Sequence, residues 1–146
     1  MLLVTCMLVI VSGCTSYKSG EVRSSYTPLA INVNESNKEK IVTIKAADGL
    51  DIWKVDNKRQ VNFIKLMFTG GLDSILLPEG KHSMMATSIT GDLRIPLYNY
   101  VGGHEYFIDY VSKKSGDAKS IYYWVKDVTT DKVVLGREKT IAELKN

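Results

Sequence analysis

From Ile41 onward, apolar and polar residues alternate in short runs that are interrupted by turn residues. The first run, residues 41–45, is rich in β-branched residues and is followed by Asp48-Gly49, a strong turn signal. Similar runs recur along the chain, and no convincing amphipathic helix separates them. The predicted strands cover residues 41–45, 51–55, 61–68, 74–77, 82–90, 93–101, 106–111, 121–128 and 132–135.

This succession of short strands predicts an all-β fold, most simply a small antiparallel β-sandwich of the immunoglobulin-like type. Residues 78–81 predict a tight turn, because Pro78 suits its start and Gly80 can adopt a positive φ. We therefore expect residues 82–90 to form the return strand. Residues 29–33 predict a first edge strand, and residues 139–144 predict a short helical turn.

The first residues follow a different pattern. Residues 2–11 are almost wholly apolar, the small residues Ser12 and Gly13 precede Cys14, and no charged residue occurs before Lys18. The apolar run is too short for a transmembrane helix, which needs about 20 apolar residues. A buried N-terminal strand is an alternative interpretation.

Val11-Ser12-Gly13-Cys14 resembles the lipobox of a bacterial lipoprotein signal peptide. The resemblance implies cleavage between Gly13 and Cys14, after the Cys14 thiol has received a diacylglyceryl group. It implies a cell-envelope protein held at the membrane by this lipid. If the organism has two membranes, Thr15 after the lipidated cysteine implies an outer-membrane anchor facing the periplasm.

The chain accordingly divides into three predicted segments. Residues 1–13 form the signal peptide, and residues 14–40 contain the lipidated cysteine and a polar, flexible tether. Residues 41–146 form a single sandwich domain, in agreement with the size of one domain.

Two segments of the domain, 53–58 (WKVDNK) and 75–84 (ILLPEGKHSM), resemble a PEGA-type element of a small β-sandwich. The chain departs from that theme at Asn57, where the theme prefers glycine. Segments 102–108 and 124–130 are similar to small exported bacterial lipoproteins of uncharacterised function. These resemblances imply a module that binds or supports other molecules rather than one that catalyses a reaction.

Charge and cysteine content narrow the choice of function. The formal net charge is +3, and the densest basic runs are the pairs Lys58-Arg59 and Lys113-Lys114. That is too little to predict nucleic-acid binding. The lipobox resemblance removes Cys6 with the signal and caps Cys14 with lipid, so the mature domain has no disulfide, thiolate metal site or cysteine nucleophile.

The sequence predicts no catalytic residue, no metal site and no cofactor. No serine lies in a G-x-S-x-G motif. His82 and His104 can be combined with Glu105 or Asp109 as a zinc site, but their spacing fits no metal-binding helix motif. We expect both imidazoles to be solvated or bonded to the backbone. Strand alternation predicts that the acids Asp109 and Asp127 face solvent.

Aromatic residues crowd the last third of the chain. Tyr106 and Tyr110 share one face of their strand, and Tyr122 and Trp124 share one face of theirs. Cross-strand aromatic pairs stabilise a sheet by about 0.2–1 kcal/mol each, which favours a packing role. If exposed, these four residues predict a binding strip instead.

We therefore expect a non-catalytic envelope lipoprotein that binds or assists another envelope protein, with strand addition at a sheet edge as one mode. The alternative is a glycan-binding or small-ligand-binding module that uses the aromatic strand face.

Overall fold

Two β-sheets pack face to face, and the all-β sandwich prediction is confirmed. The computed structural model describes residues 16–18, 28–34, 36–62 and 71–144. Its strands are β1 (Ser16–Lys18), β2 (Leu29–Ala30), β3 (Ile41–Ala46), β4 (Leu50–Val55), β5 (Lys58–Arg59), β6 (Ser74–Pro78), β7 (Gly80–Ser88), β8 (Gly91–Tyr100), β9 (Glu105–Ser115), β10 (Ala118–Asp127) and β11 (Lys132–Gly136). Short 3₁₀ turns occupy Lys38–Lys40 and Ile141–Leu144. Within the described ranges, no helix has the length and apolar character needed to cross a membrane.

The larger sheet has seven strands in the order β11-β10-β9-β3-β6-β2, with β1 paired to the second half of β9. The smaller sheet has the order β5-β4-β7-β8. Most neighbouring strands are antiparallel, whereas the pairs β3–β9 and β2–β6 are parallel. Because these parallel partners are distant in the sequence, the larger sheet is not built from consecutive hairpins alone.

Strand β3 shows how the alternating pattern specifies the fold. Val42, Ile44 and Ala46 are buried between the sheets, while the residues that alternate with them are half-buried on the other face. Gly49 then takes a φ of 77°, a conformation that glycine adopts without steric cost, and the chain turns into β4. The turn predicted at Asp48-Gly49 is therefore confirmed.

The return strand predicted after the turn at residues 78–81 is present as β7, but it belongs to the other sheet. Strand β6 pairs with β3 and β2 in the larger sheet, whereas β7 pairs with β4 and β8 in the smaller one. The chain passes from one sheet to the other at Glu79, whose N–H donates to the carbonyl oxygen of Lys40 over 2.8 Å. Strands that switch sheets in this way form the corners of a sandwich. The positive φ expected for Gly80 is confirmed at 126°.

The larger sheet also takes in parts of the segment predicted as a tether. The expected edge strand is present as β2, and Ile31 packs against the core. Strand β1 pairs with residues 111–113 of β9. Residues 19–27 lie outside the described residues, as do the signal peptide with Gly13 and Cys14 and most of the strand predicted over 61–68.

Three tyrosines complete an otherwise mainly aliphatic core. Tyr100, Tyr106 and Tyr110 are fully buried. The rings of Tyr100 and Tyr106 meet edge to face, with centroids 4.9 Å apart and planes at 89°, a favourable aromatic geometry. Burial raises the pKa of the Tyr100 hydroxyl far above its usual value.

Candidate ligand-binding site

The pairing of β9 with β10 separates the four aromatic residues of the predicted strip. Tyr106 and Tyr110 point into the core and are 1% and 0% exposed. Tyr122 and Trp124 lie opposite Val111 and Asp109, on the outer face of the larger sheet. The structure therefore does not bring the four residues together as one strip, and only Tyr122 and Trp124 belong to an outer surface.

Trp124 is covered by the end of the chain. Residues 137–144, which we call the C-terminal strap, cross the outer face of the larger sheet beside it. Trp124 packs with Val111 and Leu144 and is only 6% exposed, whereas Tyr122 is 38% exposed. The sheet and the strap together therefore determine the surroundings of Trp124.

Polar contacts hold the strap in place. Glu143 accepts hydrogen bonds from the Thr140 N–H (2.7 Å) and from Nη2 of Arg137 (3.1 Å). The Thr140 N–H bond is the main reason that the pKa of Glu143 lies below its usual value. Nζ of Lys113 donates to the carbonyl oxygen of Leu144 over 2.5 Å, which ties the strap to β9.

Between the strap and the sheet lies a cavity of about 300 Å³, which we call the Trp124 pocket. Its lining combines aromatic, aliphatic, acidic, basic and hydroxyl groups: Asp109, Tyr110, Val111, Trp124, Glu138, Lys139, Thr140 and Ile141. Such a mixture of an apolar wall with a few polar groups is typical of small-ligand sites.

Polar contacts also orient the side chains at this site. Oδ1 of Asp109 accepts a hydrogen bond from the Tyr110 N–H over 2.8 Å, which orients the carboxylate. The ammonium of Lys139 lies 3.7 Å from the centroid of the Tyr122 ring, a cation–π contact at the exposed end of the strap. The pocket thus presents the two acids Asp109 and Glu138, with Lys139 beside them.

The two histidines bind separate carboxylates. Nδ1 of His82 lies 2.6 Å from Oδ2 of Asp56, and its Nε2 lies 2.8 Å from the carbonyl oxygen of Pro78. Nδ1 of His104 lies 2.8 Å from Oδ2 of Asp127. In the part of the chain that the structure describes, no three or more His, Cys, Asp or Glu side chains form a group that could hold a metal ion.

Asp127 does not face solvent, and the prediction for this residue is wrong. It is 5% exposed because it lies opposite the buried Tyr106 on the core side of β10, where its carboxylate contacts His104 and accepts a hydrogen bond from the Thr130 N–H. Burial alone would raise the pKa of Asp127, but the hydrogen bonds from His104 and Thr130 outweigh burial and lower it. Asp109, by contrast, is half-buried at the Trp124 pocket.

The strap was not predicted to form a wall of a pocket. Of its pocket residues, Glu138, Lys139, Thr140 and Ile141, none was proposed as a site residue. A local signal was present: Thr140 followed three residues later by Glu143 is the pattern of a capping box, which predicts the start of a helical turn. That pattern reveals the turn but not the sheet face against which it packs.

Searches against protein-family models, curated proteins and solved structures found no match.

Proposed function

We propose that this chain is a lipid-anchored binding protein of a bacterial cell envelope and that the Trp124 pocket holds its ligand. The lipobox resemblance of Val11-Ser12-Gly13-Cys14 supports the anchor. The observation that carries the binding proposal is the convergence of Trp124, Asp109 and Glu138 on one volume of about 300 Å³. The proposal is binding without turnover, because the sequence holds no recognised catalytic motif.

A sugar unit of a cell-wall glycan suits the chemistry of this pocket. Ligand pockets range from about 300 to 1,000 Å³, so this volume suits a single ring or a small group. Trp124 is one of the lining residues, and the part of its ring that borders the pocket can supply apolar contact to the C–H face of a sugar ring. Asp109 and Glu138 can accept hydrogen bonds from ring hydroxyls, and Thr140 can both donate and accept.

The test uses the fact that the chain contains two tryptophans, Trp53 and Trp124. In full-length protein carrying Trp53→Phe, Trp124 is the only indole, and its fluorescence reports on the pocket. Titration with soluble cell-wall glycan fragments should change this fluorescence saturably. Asp109→Asn should weaken the apparent affinity roughly tenfold, since a hydrogen bond to a charged group contributes about 1.5–3 kcal/mol.

A control variant and a hydrolysis assay make this test decisive. Val133→Ala alters an exposed side chain of β11 outside the pocket lining and should leave the titration unchanged. No response of Trp124 to the fragments, or an equal response in the Asp109→Asn variant, would contradict the proposed ligand. Hydrolysis of the fragments by the purified protein would contradict binding without turnover.

The anchor has its own test. Cys14→Ser removes the thiol that would carry the lipid, so we expect the protein to leave the membrane fraction. Cys6→Ser is the matched control, because Cys6 lies before the predicted cleavage position, and it should leave the membrane fraction unchanged. Membrane association of the Cys14→Ser variant equal to that of the unsubstituted chain would refute the anchor.

A protein partner is the second candidate function. Among the described strands, β11 ends the larger sheet with only β10 beside it, and it carries the exposed Val133. Strand addition could therefore occur at this edge. In-cell crosslinking that captures one envelope protein, lost with Val133→Glu but retained with Trp124→Phe, would favour this candidate over the pocket.

A further inference from the structure

The outer face of the smaller sheet is shaped by an irregularity in β4. The pairing of β4 with β7 shifts between Ile52 and Lys54, so that Trp53 and Lys54 together oppose a single residue of β7. Ile52 and Val55 are both buried in the core, which leaves Trp53 and Lys54 together on the outer face. Bulges of this kind redirect a side chain at a defined position.

The strand register brings three cations into one row across this face. Lys54 lies opposite Arg59 on one side and Met85 on the other, and Met85 lies opposite Arg94. With neighbouring strands about 4.8 Å apart, the Cα atoms of Lys54 and Arg94 are separated by roughly 10 Å. Their long side chains can therefore meet over Met85.

These cations are not neutralised by neighbouring acids in the described part of the chain. None of the ion pairs between described residues includes Lys54, Arg59 or Arg94. Arg59 lies over the Trp53 ring, 5.1 Å from its centroid. The nearby carboxylate of Asp56 is already engaged, because its two oxygens contact the His82 ring and the Ser83 N–H.

A cavity of about 220 Å³ lies beside Lys54 and Arg94, and Asn57 and Ser83 also line it. Asn57 sits in the β4–β5 turn with a φ of 63°, and Ser83 is fixed through its N–H bond to Asp56 over 2.9 Å. The lining thus offers a guanidinium, an ammonium, an amide and a hydroxyl, all of which can donate hydrogen bonds.

We propose that this cavity, the Lys54–Arg94 pocket, binds a phosphate group. Arg recognises phosphate through two parallel N–H bonds, and Lys adds a point charge. A tetrahedral anion with several acceptor oxygens matches donors that converge from three strands and a turn. This site is independent of the Trp124 pocket, and the phosphate can belong to a lipid headgroup or to a soluble phosphate ester.

Trp53 lies next to the lining residue Lys54 on the outer face, and its fluorescence serves as the readout for this pocket. In the full-length protein carrying Trp124→Phe, kept in a nonionic detergent, Trp53 is the only indole. One arm of the experiment titrates inorganic phosphate against sodium chloride of matched ionic strength. The second arm adds phosphatidylglycerol to the micelles and compares it with phosphatidylcholine at the same mole fraction.

The variant pair separates a built site from general charge attraction. Lys54→Gln with Arg94→Gln should weaken binding roughly tenfold or more, as expected for the loss of about 1.4 kcal/mol or more. Lys119→Gln with Lys132→Gln removes the same charge from exposed positions on the larger sheet and should leave binding unchanged. Arg94→Lys keeps the charge without the planar fork and should give intermediate affinity.

Each result decides the proposal. A saturable response to inorganic phosphate that only the first double variant weakens supports a site for soluble phosphate. The same behaviour with phosphatidylglycerol alone supports a headgroup site. No response to either probe, or equal weakening in the two double variants, overturns the proposal. Thermal unfolding of each variant verifies that the compared proteins are folded. If the Lys54→Gln, Arg94→Gln double variant does not fold, the single variant Arg94→Gln replaces it.

Discussion

The two outer faces of the sandwich each carry one tryptophan, but they differ in charge. On the larger sheet, Trp124 lies beneath the C-terminal strap with the acids Asp109 and Glu138 beside it. On the smaller sheet, Trp53 lies beside the guanidinium of Arg59, at one end of a row of cations. Strand alternation therefore determines which residues face outward. The chemical identity of those outward-facing residues determines what each face can bind.

The faces also differ in how their tryptophan is held. Trp124 is packed against Val111 and Leu144, so its burial depends on a segment outside the sheet. Trp53 reaches the outer face through a bulge within β4 itself. We therefore expect variants of the strap to change the environment of Trp124 and to leave Trp53 unaffected.

The largest expected effect is the loss of stability in Trp124→Ala. Removing a buried indole leaves a cavity, and the free energy of unfolding should fall by about 3–5 kcal/mol. Trp53→Ala, at a half-buried position, should cost about 1–2 kcal/mol. Urea unfolding of the two variants measures both values. Equal losses would show that the two tryptophans contribute equally to stability despite their different burial.

The next effect concerns the anchoring of the strap. Leu144→Ala removes a side chain that is 6% exposed, and we expect a loss of about 2 kcal/mol with greater quenching of Trp124 by acrylamide. Leu97→Ala is the matched control, because Leu97 is 62% exposed and belongs to β8 of the smaller sheet. It should change neither stability nor the quenching of Trp124. If the strap does not cover Trp124, Leu144→Ala and Leu97→Ala should show the same stability and the same quenching of Trp124.

Acidification should loosen the strap through Glu143. Because the folded-state pKa of Glu143 lies below its ordinary value of 4.5, the ionised group stabilises the strap above about pH 4.5. That contribution is lost as the pH falls through the lowered folded-state pKa. Acrylamide quenching of Trp124 in the Trp53→Phe protein should therefore increase as the pH falls below 4.5.

Glu143→Gln is the control for this pH effect. Quenching should be high at neutral pH in this variant and should depend less on acidification. An identical pH dependence in the two proteins would assign the effect to other acids. Quenching of Trp53 in the Trp124→Phe protein should not follow the same curve, since Glu143 belongs to the strap on the opposite sheet.

Local patterns were sufficient to predict most strands. The alternation of β3 and the Asp48-Gly49 turn are read from neighbouring residues, and both are confirmed. The passage between sheets at Glu79 could not be read in this way, because a turn signal does not say which strand will be the partner of β7. Sheet membership depends on contacts between residues that are far apart in the sequence.

The candidate site was predicted in part for the same reason. Tyr122 and Trp124 were recognised from their shared strand face, but the opposite orientation of Tyr106 and Tyr110 requires the register of β9 and β10. Asp127 was predicted to face solvent, yet it lies on the core side of β10 opposite Tyr106, and its carboxylate contacts His104 in the loop before β9. The short helical turn of the strap was predicted, but only the tertiary fold places it over Trp124.

The smallest expected effect compares the cation–π contacts of the two faces. Lys139 over Tyr122 and Arg59 over Trp53 lie 3.7 and 5.1 Å from the respective ring centroids. A double-mutant cycle with Lys139→Met and Tyr122→Leu should give a coupling energy of about 0.5–1 kcal/mol, as for exposed cation–π pairs. The cycle with Arg59→Met and Trp53→Leu should give less, because the separation is larger.

The difference between the two coupling energies also tests whether Lys139 helps to hold the strap. If Lys139 fixes the strap edge, its replacement should also increase quenching of Trp124, whereas Arg59→Met should not. Coupling that is larger for Arg59 than for Lys139 would contradict the order of the two distances. Coupling near zero in both cycles, with Trp124 quenching unchanged, would mean that Leu144 and the Glu143 contacts hold the strap without help from Tyr122.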